Sequence, residues 1–283
     1  NAMILHGADA ELLERDQALD MVPAIDAGNS RFPVYGGLLQ RRAGNARHDA
    51  VAWGYARGAD MRGVDIIQNC EVTGITRDGS GRAIGVETSR GAIKAGKIGL
   101  AVAGHTSHVA AMADLRLPIE SHKLQAFVTE GIKPVIDTVV TFGHGHFYIS
   151  QSDKGGLVFG ANLDGYNSYA QRGNLPTIEA TVEAAMHLMP SLARLRLLRH
   201  WAGVMDMSMD GSPFICRTPV EGLYLNAGWC YGGFKATPAS GWCFAHTIAR
   251  DEPHAYNAYY TLDRFARGYA VDTKGAGPQP NYH

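Results

Sequence analysis

The sequence predicts a mixed α/β plus α+β fold, in which α/β segments interleave with an antiparallel β-sheet. Residues 44–113 show helix, strand, hairpin, strand and helix patterns in that order, as in the later part of a nucleotide-binding α/β domain. Residues 114–205 contain short alternating strands with Gly and Asp turns, which favours antiparallel pairing. The α/β pattern returns over residues 206–268. We therefore predict two interleaved domains, one containing residues 1–43 with 114–205, and an extended tail over 269–283.

The composition fits a globular protein and argues against several classes of partner. Hydrophobic residues make up 46% and charged residues 19% of the 283 residues, enough for a sizeable core. The net charge of −1 gives no electrostatic reason to expect nucleic acid or an anionic membrane as a partner. The longest apolar run, near residues 98–104, is far shorter than the roughly 20 residues of a membrane helix.

A cytoplasmic location is expected from the N-terminus and the cysteines. The first residues lack the basic and then apolar pattern of a signal peptide. The 4 cysteines do not form a disulfide framework, and none are spaced as C-x-x-C. His144 and His146 form an H-x-H pair without a third ligand spaced nearby, so we predict no metal site.

The first half of the chain is predicted to be mixed helix and strand. Its strongest helix pattern covers residues 48–62, because Val51, Tyr55 and Ala59 recur every four residues and Gly63 follows the end. The other elements predicted here are a helix at 10–21, a strand or strand pair at 64–74, a hairpin of 82–88 with 91–94, a strand at 98–103 and a helix at 105–113.

The second half is predicted to be mainly β-structure until its last helix. A helix over residues 177–189 is expected to end at Pro190. The strands are predicted at 123–130, 135–142, 147–151, 156–161, 199–207, 214–217 and 222–226, and the last helix at 238–249.

The most informative stretch is residues 225–238, LNAGWCYGGFKATP, in which a buried strand runs into a glycine loop and a helix. Glycines allow the backbone to approach a flat ligand, and the N–H groups at a helix N-terminus attract anions. Lys235 adds a cation suited to a carboxylate or a reduced ring. Taken alone, the stretch is equally consistent with a tight turn that carries an exposed lysine.

Several motifs together indicate a family. The loop, with Trp201-Ala202-Gly203 and the DGSP sequence at 210–213 before it, resembles the C-terminal region of D-amino-acid-oxidase-like flavoproteins. Four further segments resemble the β subunits of heterotetrameric sarcosine oxidases: GNARHDAVAWGYAR (44–57), GVDIIQNCEVTG (63–74), YISQSDKG (148–155) and DGYNSY (164–169). The similarity is dense and extends over nearly the whole chain.

The resemblance implies a fold, a reaction and cofactors. Residues 44–113 and 206–268 would be the remainder of a Rossmann-like FAD-binding domain, and residues 1–43 and 114–205 a substrate domain. The reaction would be oxidative demethylation of sarcosine to glycine, with hydride transfer to non-covalent FAD, electron relay to covalent FMN and reduction of oxygen to hydrogen peroxide. The one-carbon product would be formaldehyde or a folate-bound unit, with tetrahydrofolate acting through the α subunit of a heterotetramer.

The resemblance also implies roles for individual residues. Lys235 matches the lysine that binds the substrate carboxylate, the backbone of Val72 would meet the adenine of FAD, and Gly104 would approach the pyrophosphate or ribose. The residues expected to pack around FAD are Gly232, Gly233, Phe234, Ala236 and Thr237. Tyr148 and Tyr166 are candidates to line the amine pocket, although half-buried aromatic residues of a sheet explain them equally well.

His48 matches the histidine that carries FMN covalently at the interface with the α subunit. A neutral imidazole is a competent nucleophile near pH 7 and can add to the activated 8-methyl carbon of a flavin. The neighbouring Arg47 would place positive charge near the FMN. Without the resemblance, His48 is more simply interpreted as a surface histidine at a helix start.

Two departures from the family pattern lead to further expectations. No lysine occupies residues 157–159, the strand where single-chain amine oxidases of this family place a lysine that assists oxygen reaction, so we expect oxygen to react away from FAD. No G-x-G-x-x-G motif follows a strand, so we expect the chain to be the C-terminal part of a longer subunit and to be inactive alone. The alternatives are a related FAD-dependent amine or D-amino-acid dehydrogenase, and a non-catalytic interaction module that has lost FAD.

Overall fold

A computed structural model of the chain describes residues 2–28, 31–143 and 147–272. Its helices are α1 (Ala2–Leu5), α2 (Arg15–Met21), α3 (His48–Asp60), α4 (Thr106–Ala111), α5 (Leu175–Leu188) and α6 (Gly233–Arg250). Its strands are β1 (Glu11–Glu14), β2 (Gly36–Leu39), β3 (Val72–Arg77), β4 (Ala83–Thr88), β5 (Gly91–Lys94), β6 (Ile98–Leu100), β7 (Ile119–Gly131), β8 (Val140–Phe142), β9 (Phe147–Gln151), β10 (Gly156–Asn167), β11 (Leu197–Ser208), β12 (Phe214–Arg217) and β13 (Leu223–Ala227). Short 3₁₀ turns lie at Ala103–His105, Pro190–Arg194, Ala255–Asn257 and Leu262–Arg264.

The strands form both parallel and antiparallel pairs. One sheet has the order β11-β7-β10-β9-β8, and two three-stranded sheets have the orders β12-β13-β6 and β3-β4-β5. Strand β13 pairs with β6 in parallel and with β12 antiparallel, whereas β9 pairs antiparallel with both β8 and β10. A small β1-β2 pair completes the sheets of the described residues. This mixture of helices, a parallel pair and antiparallel sheets confirms the predicted fold class.

The chain divides into two compact units. The first contains Asn1–Ile66, Leu124–Leu163 and Arg172–Ala202, and the second contains Ile67–Lys123, Asp164–Gln171 and the chain from Gly203 onward. The boundaries differ from the predicted domains over residues 44–66, 114–123, 164–171 and 203–205. Ile119 explains the second difference, because its buried side chain belongs to the core of the second unit. The assignment of either domain to FAD or substrate stays a prediction.

The core of the first unit is built from alternating strand residues and one helix face. Phe127 of β7 and Phe159 of β10 stack with their ring centroids 5.2 Å apart. Ala185 and Leu188 of α5 pack into the same cluster. Helix α5 begins where the Asn174 side chain accepts a hydrogen bond from the N–H of Thr177, which satisfies a free donor of the first turn.

The core of the second unit lies between α4 and the β12-β13-β6 sheet. Its fully buried members include Phe214 of β12 and Leu223 and Leu225 of β13, with Val109 of α4 packed against them. Helix α6 lies directly against β6, because a Cβ added to Gly99 would be 3.0 Å from the ring of Phe244. This close approach fixes the position of the helix that carries Lys235.

The buried ion pair of Arg264 and Asp210 stabilises the turn between β11 and β12. The Arg264 guanidinium donates to both carboxylate oxygens of Asp210, at 3.0 and 2.7 Å, and to the carbonyl oxygens of Ser212 and Pro213. The Arg264 side chain is 0% exposed. Asp210 also accepts the N–H of Ser212, so the DGSP motif forms a structural turn here.

Several predicted elements agree with the structure. The helices predicted at 48–62 and 177–189 correspond to α3 and α5, and the hairpin of 82–88 with 91–94 corresponds to β4 and β5. The strand predicted at 147–151 is β9.

Four predictions about elements were wrong in part. Residues 11–14 form β1 instead of the start of a helix, because pairing with β2 overrides local helix propensity. Residues 64–71 and 135–139 lie outside strands. Helix α6 starts at Gly233, so Pro238 lies inside the helix and the segment from Gly233 to Thr237 forms helical turn instead of loop. His144, His146 and residues 273–283 of the tail lie outside the described residues.

Candidate functional site

The glycine segment forms a sharp connection between β13 and α6. Gly228 has φ 75° and Cys230 has φ 50°, so both lie in the left-handed region. The N-cap of α6 is Gly232, which has no side chain, and no acidic residue lies in the first turn. Because the first N–H groups of a helix lack intrahelical acceptors, this end presents donors and a positive dipole to a ligand.

Lys235 lies in the first turn of α6 and is exposed. Its Nζ donates a hydrogen bond to the Tyr231 carbonyl oxygen at 2.9 Å, which folds the ammonium group back over the loop. Phe234 next to it exposes 52% of its surface, and Tyr231 exposes 46%. The site therefore presents a cation and apolar rings together at the N-terminus of a helix.

A cavity of about 730 Å³ adjoins this end of α6. It is large enough for a small organic ligand. Apolar and aromatic side chains form most of its wall, namely Pro213, Ile215, Trp229, Ala236, Pro238, Ala239, Trp242, Cys243, Tyr256 and Tyr260, with Ser240. Of the residues that the sequence assigned to FAD, Ala236 is the one that lines it.

A buried carboxylate supports the loop from β11. Asp206 is 5% exposed, and its Oδ2 accepts the N–H of Gly228 at 2.5 Å. Burial raises the pKa of this carboxyl group, while hydrogen bonds from the backbone of Gly228 and Trp229 act in the opposite direction. The sequence analysis did not single out Asp206, although an acidic residue within the run VMDMSM of a strand was a usable signal.

Gly104 has a packing role that explains why the residue is glycine. An added Cβ would lie 2.4 Å from both Cγ1 and the carbonyl oxygen of Val204. The Gly104 carbonyl oxygen accepts the Ser121 hydroxyl at 2.6 Å. Val72 begins β3 and is half-buried opposite Thr88. The expected contacts of Gly104 and Val72 with FAD stay predictions.

Tyr166 lies beside a buried ion pair of the second unit. The Lys123 Nζ is 2.8 Å from Asp164 Oδ2, with side chains 5% and 0% exposed. The same Nζ lies 5.4 Å from the Tyr166 ring centroid. The hydrogen bond that Lys123 donates to Asp164 raises the pKa of Lys123, which keeps the lysine charged despite its burial. The sequence analysis placed Lys123 only in a strand and missed this pair.

Tyr148 belongs to the first unit and is half-buried on β9. Burial raises the pKa of its hydroxyl group. The hydroxyl packs against Gly160 of the neighbouring strand, where an added Cβ would be 2.5 Å from it. This contact fits an aromatic residue of a sheet, and the amine-pocket role of Tyr148 stays a prediction.

His48 is the first residue of α3 and is exposed. A groove of about 600 Å³ runs along α3, and its lining consists of Val51, Gly54, Tyr55, Gly58, Ala59 and Arg62. With 3.6 residues per turn, Val51, Tyr55 and Ala59 share the helix face of His48. The structure thus places an accessible imidazole on the same helix face as this groove.

The charge near His48 is partly balanced. The Arg47 guanidinium lies 3.2 Å from the Asp49 carboxylate, and both side chains are exposed. Hydrogen bonding from Arg47 holds the pKa of Asp49 below its usual range. Arg47 therefore supplies less net positive charge here than the sequence suggested.

Two other kinds of site are absent from the described residues, 2–28, 31–143 and 147–272. Within them, no group of three or more His, Cys, Asp or Glu side chains is arranged to hold a metal ion. Within the same ranges, no helix combines the length and apolar character needed to cross a membrane.

Comparison with known proteins identifies similar sequences and structures. A family model described as FAD dependent oxidoreductase matches residues 2–247. The sarcosine oxidase subunit beta of Rhizobium meliloti (strain 1021) is 69% identical over 100% of this chain and 68% of its own length. The subunit of the same name from Arthrobacter sp is 51% identical over 96% of this chain and 67% of its own length. The chain thus spans about two thirds of the length of these relatives.

Two solved structures share the fold. L-proline dehydrogenase from P. horikoshii superimposes with a TM-score of 0.84 at 27% identity, covering 94% of this chain and 71% of that protein. Glycine oxidase from Geobacillus kaustophilus gives a TM-score of 0.80 at 22% identity, covering 93% of this chain and 69% of that protein.

Proposed function

This chain belongs to the FAD-dependent oxidoreductase family and, within it, to the sarcosine oxidase β subunits, and we propose that it serves in the oxidative demethylation of sarcosine to glycine. The observation that carries the proposal is Lys235, an exposed cation at the positive end of α6 and within a glycine-rich segment. That arrangement suits a small substrate that carries a carboxylate.

The residues at the start of α6 fit the FAD that the family requires. Gly232 and Gly233 add no side chains, and the first-turn N–H groups have no acidic residue beside them. In this proposal Phe234, Ala236 and Thr237 pack around the ring, while Val72 and Gly104 contact the nucleotide portion. When bound, FAD supplies the hydride acceptor for the amine.

Lys235 binds and orients the substrate. Its Nζ exchanges the Tyr231 carbonyl oxygen, a neutral acceptor, for the sarcosine carboxylate, a charged and stronger acceptor. Tyr166 is proposed to line the amine pocket, and its ring centroid lies 5.4 Å from the Lys123 ammonium group. Orientation of this kind lowers the barrier because the reacting carbon is presented in one geometry.

His48 anchors a covalent FMN, which supplies the route to oxygen and hydrogen peroxide. Three observations support this part: the imidazole is exposed, its helix face carries an open groove, and small residues Gly54 and Gly58 line that groove. A bond between imidazole and the flavin requires the neutral form of the imidazole as the nucleophile.

The partner is proposed to be the α subunit of a heterotetramer, acting with tetrahydrofolate. Helix α3 has no buried residue along its 13 positions. Trp53 and Tyr55 expose 65% and 52% of their surfaces. A helix of this length is marginal in water without a packed face, so a covering surface is expected. The unpaired cysteines suit the reducing cytoplasm that we propose as its location.

The test of the catalytic proposal is Lys235→Met in the complete enzyme, with Lys154→Met as the control. Lys154 is also exposed but lies in the turn before β10. Loss of one charge-assisted bond costs about 1.5–3 kcal/mol, so the KM for sarcosine should rise roughly 10- to 150-fold. An unchanged KM would contradict the role of Lys235. Turnover of a D-amino acid or dimethylglycine, but not sarcosine, would favour a related dehydrogenase.

The covalent FMN has its own test. We expect mass analysis of the peptide containing His48, taken from the assembled enzyme, to show an added FMN. The His48→Ala protein should lose flavin that stays bound after denaturation and retain dissociable FAD. Unmodified His48 in an assembly that holds FAD would refute the anchor, and lack of any flavin would indicate a non-catalytic module.

A further inference from the structure

The loop between β13 and α6 is hydrogen-bonded to one residue of β11, Asp206. The Asp206 Oδ2 accepts the N–H of Gly228 at 2.5 Å. The carbonyl oxygen of the same residue accepts the N–H of Cys230 at 3.0 Å. Asp206 is 5% exposed, so both bonds are formed away from solvent. One residue therefore fixes the loop through its side chain and its backbone.

The loop adopts a conformation that needs such support. Cys230 has φ 50°, a region that residues other than glycine rarely adopt. Its Sγ lies 3.3 Å from the N–H of Ser208, two residues after Asp206 on the same strand. The conformation of the turn is thus set by the surrounding hydrogen bonds and not by the intrinsic backbone preference of Cys230.

The shape of this loop determines where Lys235 lies. Tyr231 follows Cys230 directly, and its carbonyl oxygen accepts the Lys235 ammonium group at 2.9 Å. The N–H of Gly232, the N-cap of α6, donates to the Trp229 carbonyl oxygen at 2.9 Å. A shift of residues 228–230 would therefore move the ammonium group and the start of the helix together.

We propose that Asp206 is a positioning residue, which holds the glycine loop in the geometry that places Lys235 for binding of the substrate carboxylate. This inference rests on the proposed function of Lys235. Asp206 acts through Gly228 and Cys230 and does not itself touch the substrate. Burial raises the pKa of the Asp206 carboxyl group, so this position is unfavourable for a charge. A carboxyl group at such a position agrees with a role that depends on its hydrogen bonds to the backbone.

The experiment compares Asp206→Ala, Asp206→Asn and a control in the complete enzyme. Asn257→Ala is the control, because Asn257 is fully buried in the same unit but bonds to Ile215 and Thr247 instead of the loop. We expect Asp206→Ala to raise the KM for sarcosine about tenfold or more. Asp206→Asn retains an acceptor for Gly228 and should have a KM between those of wild type and Asp206→Ala. If the alanine variant does not fold, the KM of the asparagine variant still tests the proposal.

A second measurement is independent of activity. Cys230 belongs to the loop and is 8% exposed, and burial raises the pKa of its thiol. Its alkylation by iodoacetamide, followed by mass spectrometry, should be at least about tenfold faster in Asp206→Ala than in wild type. Asn257→Ala should leave this rate within about threefold. Equal acceleration in both variants would show general loosening and overturn the inference.

A double-mutant cycle separates this inference from the proposed function. If Asp206 acts through Lys235, Asp206→Ala should add little to the KM of the Lys235→Met enzyme. Additive effects would overturn the positioning role while leaving the function of Lys235 intact. An unchanged KM in Lys235→Met alone would instead overturn the proposed function, and with it this inference.

Discussion

Replacement of Arg264 by leucine is expected to produce the largest stability loss of the substitutions considered. Its guanidinium donates to Asp210 with two bonds and to the carbonyl oxygens of Ser212 and Pro213. The guanidinium carbon also lies 3.9 Å from the ring centroid of Phe214. Leucine fills part of the volume but provides no donor, so the buried carboxylate loses its charged partner and keeps only neutral donors such as the Ser212 N–H, and two carbonyl groups lose the guanidinium.

The magnitude follows from the burial of the pair. The Arg264 and Asp210 side chains are 0% and 3% exposed, so solvent does not replace the lost bonds. Removal of one partner from a buried ion pair costs about 3–5 kcal/mol. Arg267→Leu provides a matched control, because Arg267 is 64% exposed and lies 3.7 Å from Asp263. An exposed pair of this kind contributes about 0–1 kcal/mol.

Urea unfolding monitored by circular dichroism gives the free energy of unfolding of both variants. Burial opposes ionisation of Asp210, but the hydrogen bonds from Arg264 prevail and its pKa is lowered. In wild type this pair stabilises the fold above about pH 4, the pKa of an unfolded aspartate, and the contribution is lost as the pH falls further. The deficit of Arg264→Leu should therefore shrink on acidification. A loss below about 1 kcal/mol, or one equal to that of Arg267→Leu, would refute the reasoning.

Two further predictions concern packing and thiol chemistry. Gly104→Ala should lower the free energy of unfolding by about 1–3 kcal/mol, because the new Cβ overlaps Val204; Gly203→Ala, with open space around it, should have a much smaller effect in the same urea assay. Iodoacetamide at pH 8 should modify the partly exposed Cys70 in the native protein and spare Cys216, since burial raises the pKa of the Cys216 thiol to about 12. Mass spectrometry of the peptides checks the second prediction, which early labelling of Cys216 would contradict.

Local patterns were sufficient to predict the elements whose stability is mainly local. Helix α5 has an asparagine N-cap and a proline after its end, and the β4-β5 hairpin has a glycine at its turn. Strand β1 could not be predicted, because its partner β2 lies more than twenty residues away and pairing decides its conformation. The start of α6 was misplaced because glycines at 232 and 233 suggested a loop, whereas Gly232 serves as its N-cap.

The candidate site was only partly visible in the sequence. Lys235 and the glycines were found from spacing and resemblance, since they lie within one short stretch of the chain. Asp206 and Lys123 were missed because their importance depends on burial and on partners in other elements, Gly228 for the first and Asp164 for the second. Gly104 is the opposite case. The sequence assigned it to FAD, but its close approach to Val204 explains why this residue is glycine without any ligand.

The lack of buried residues along α3 has a consequence for how the protein is produced. Because none of its residues is fully buried, α3 gains little from packing within its own unit, so its amide protons should exchange with deuterium rapidly when no other polypeptide covers it. Once another polypeptide covers it, those amides should become protected. If α3 is covered only on assembly, proteases should cut this helix faster in the unassembled subunit than in the complex, so surplus subunit would be degraded first.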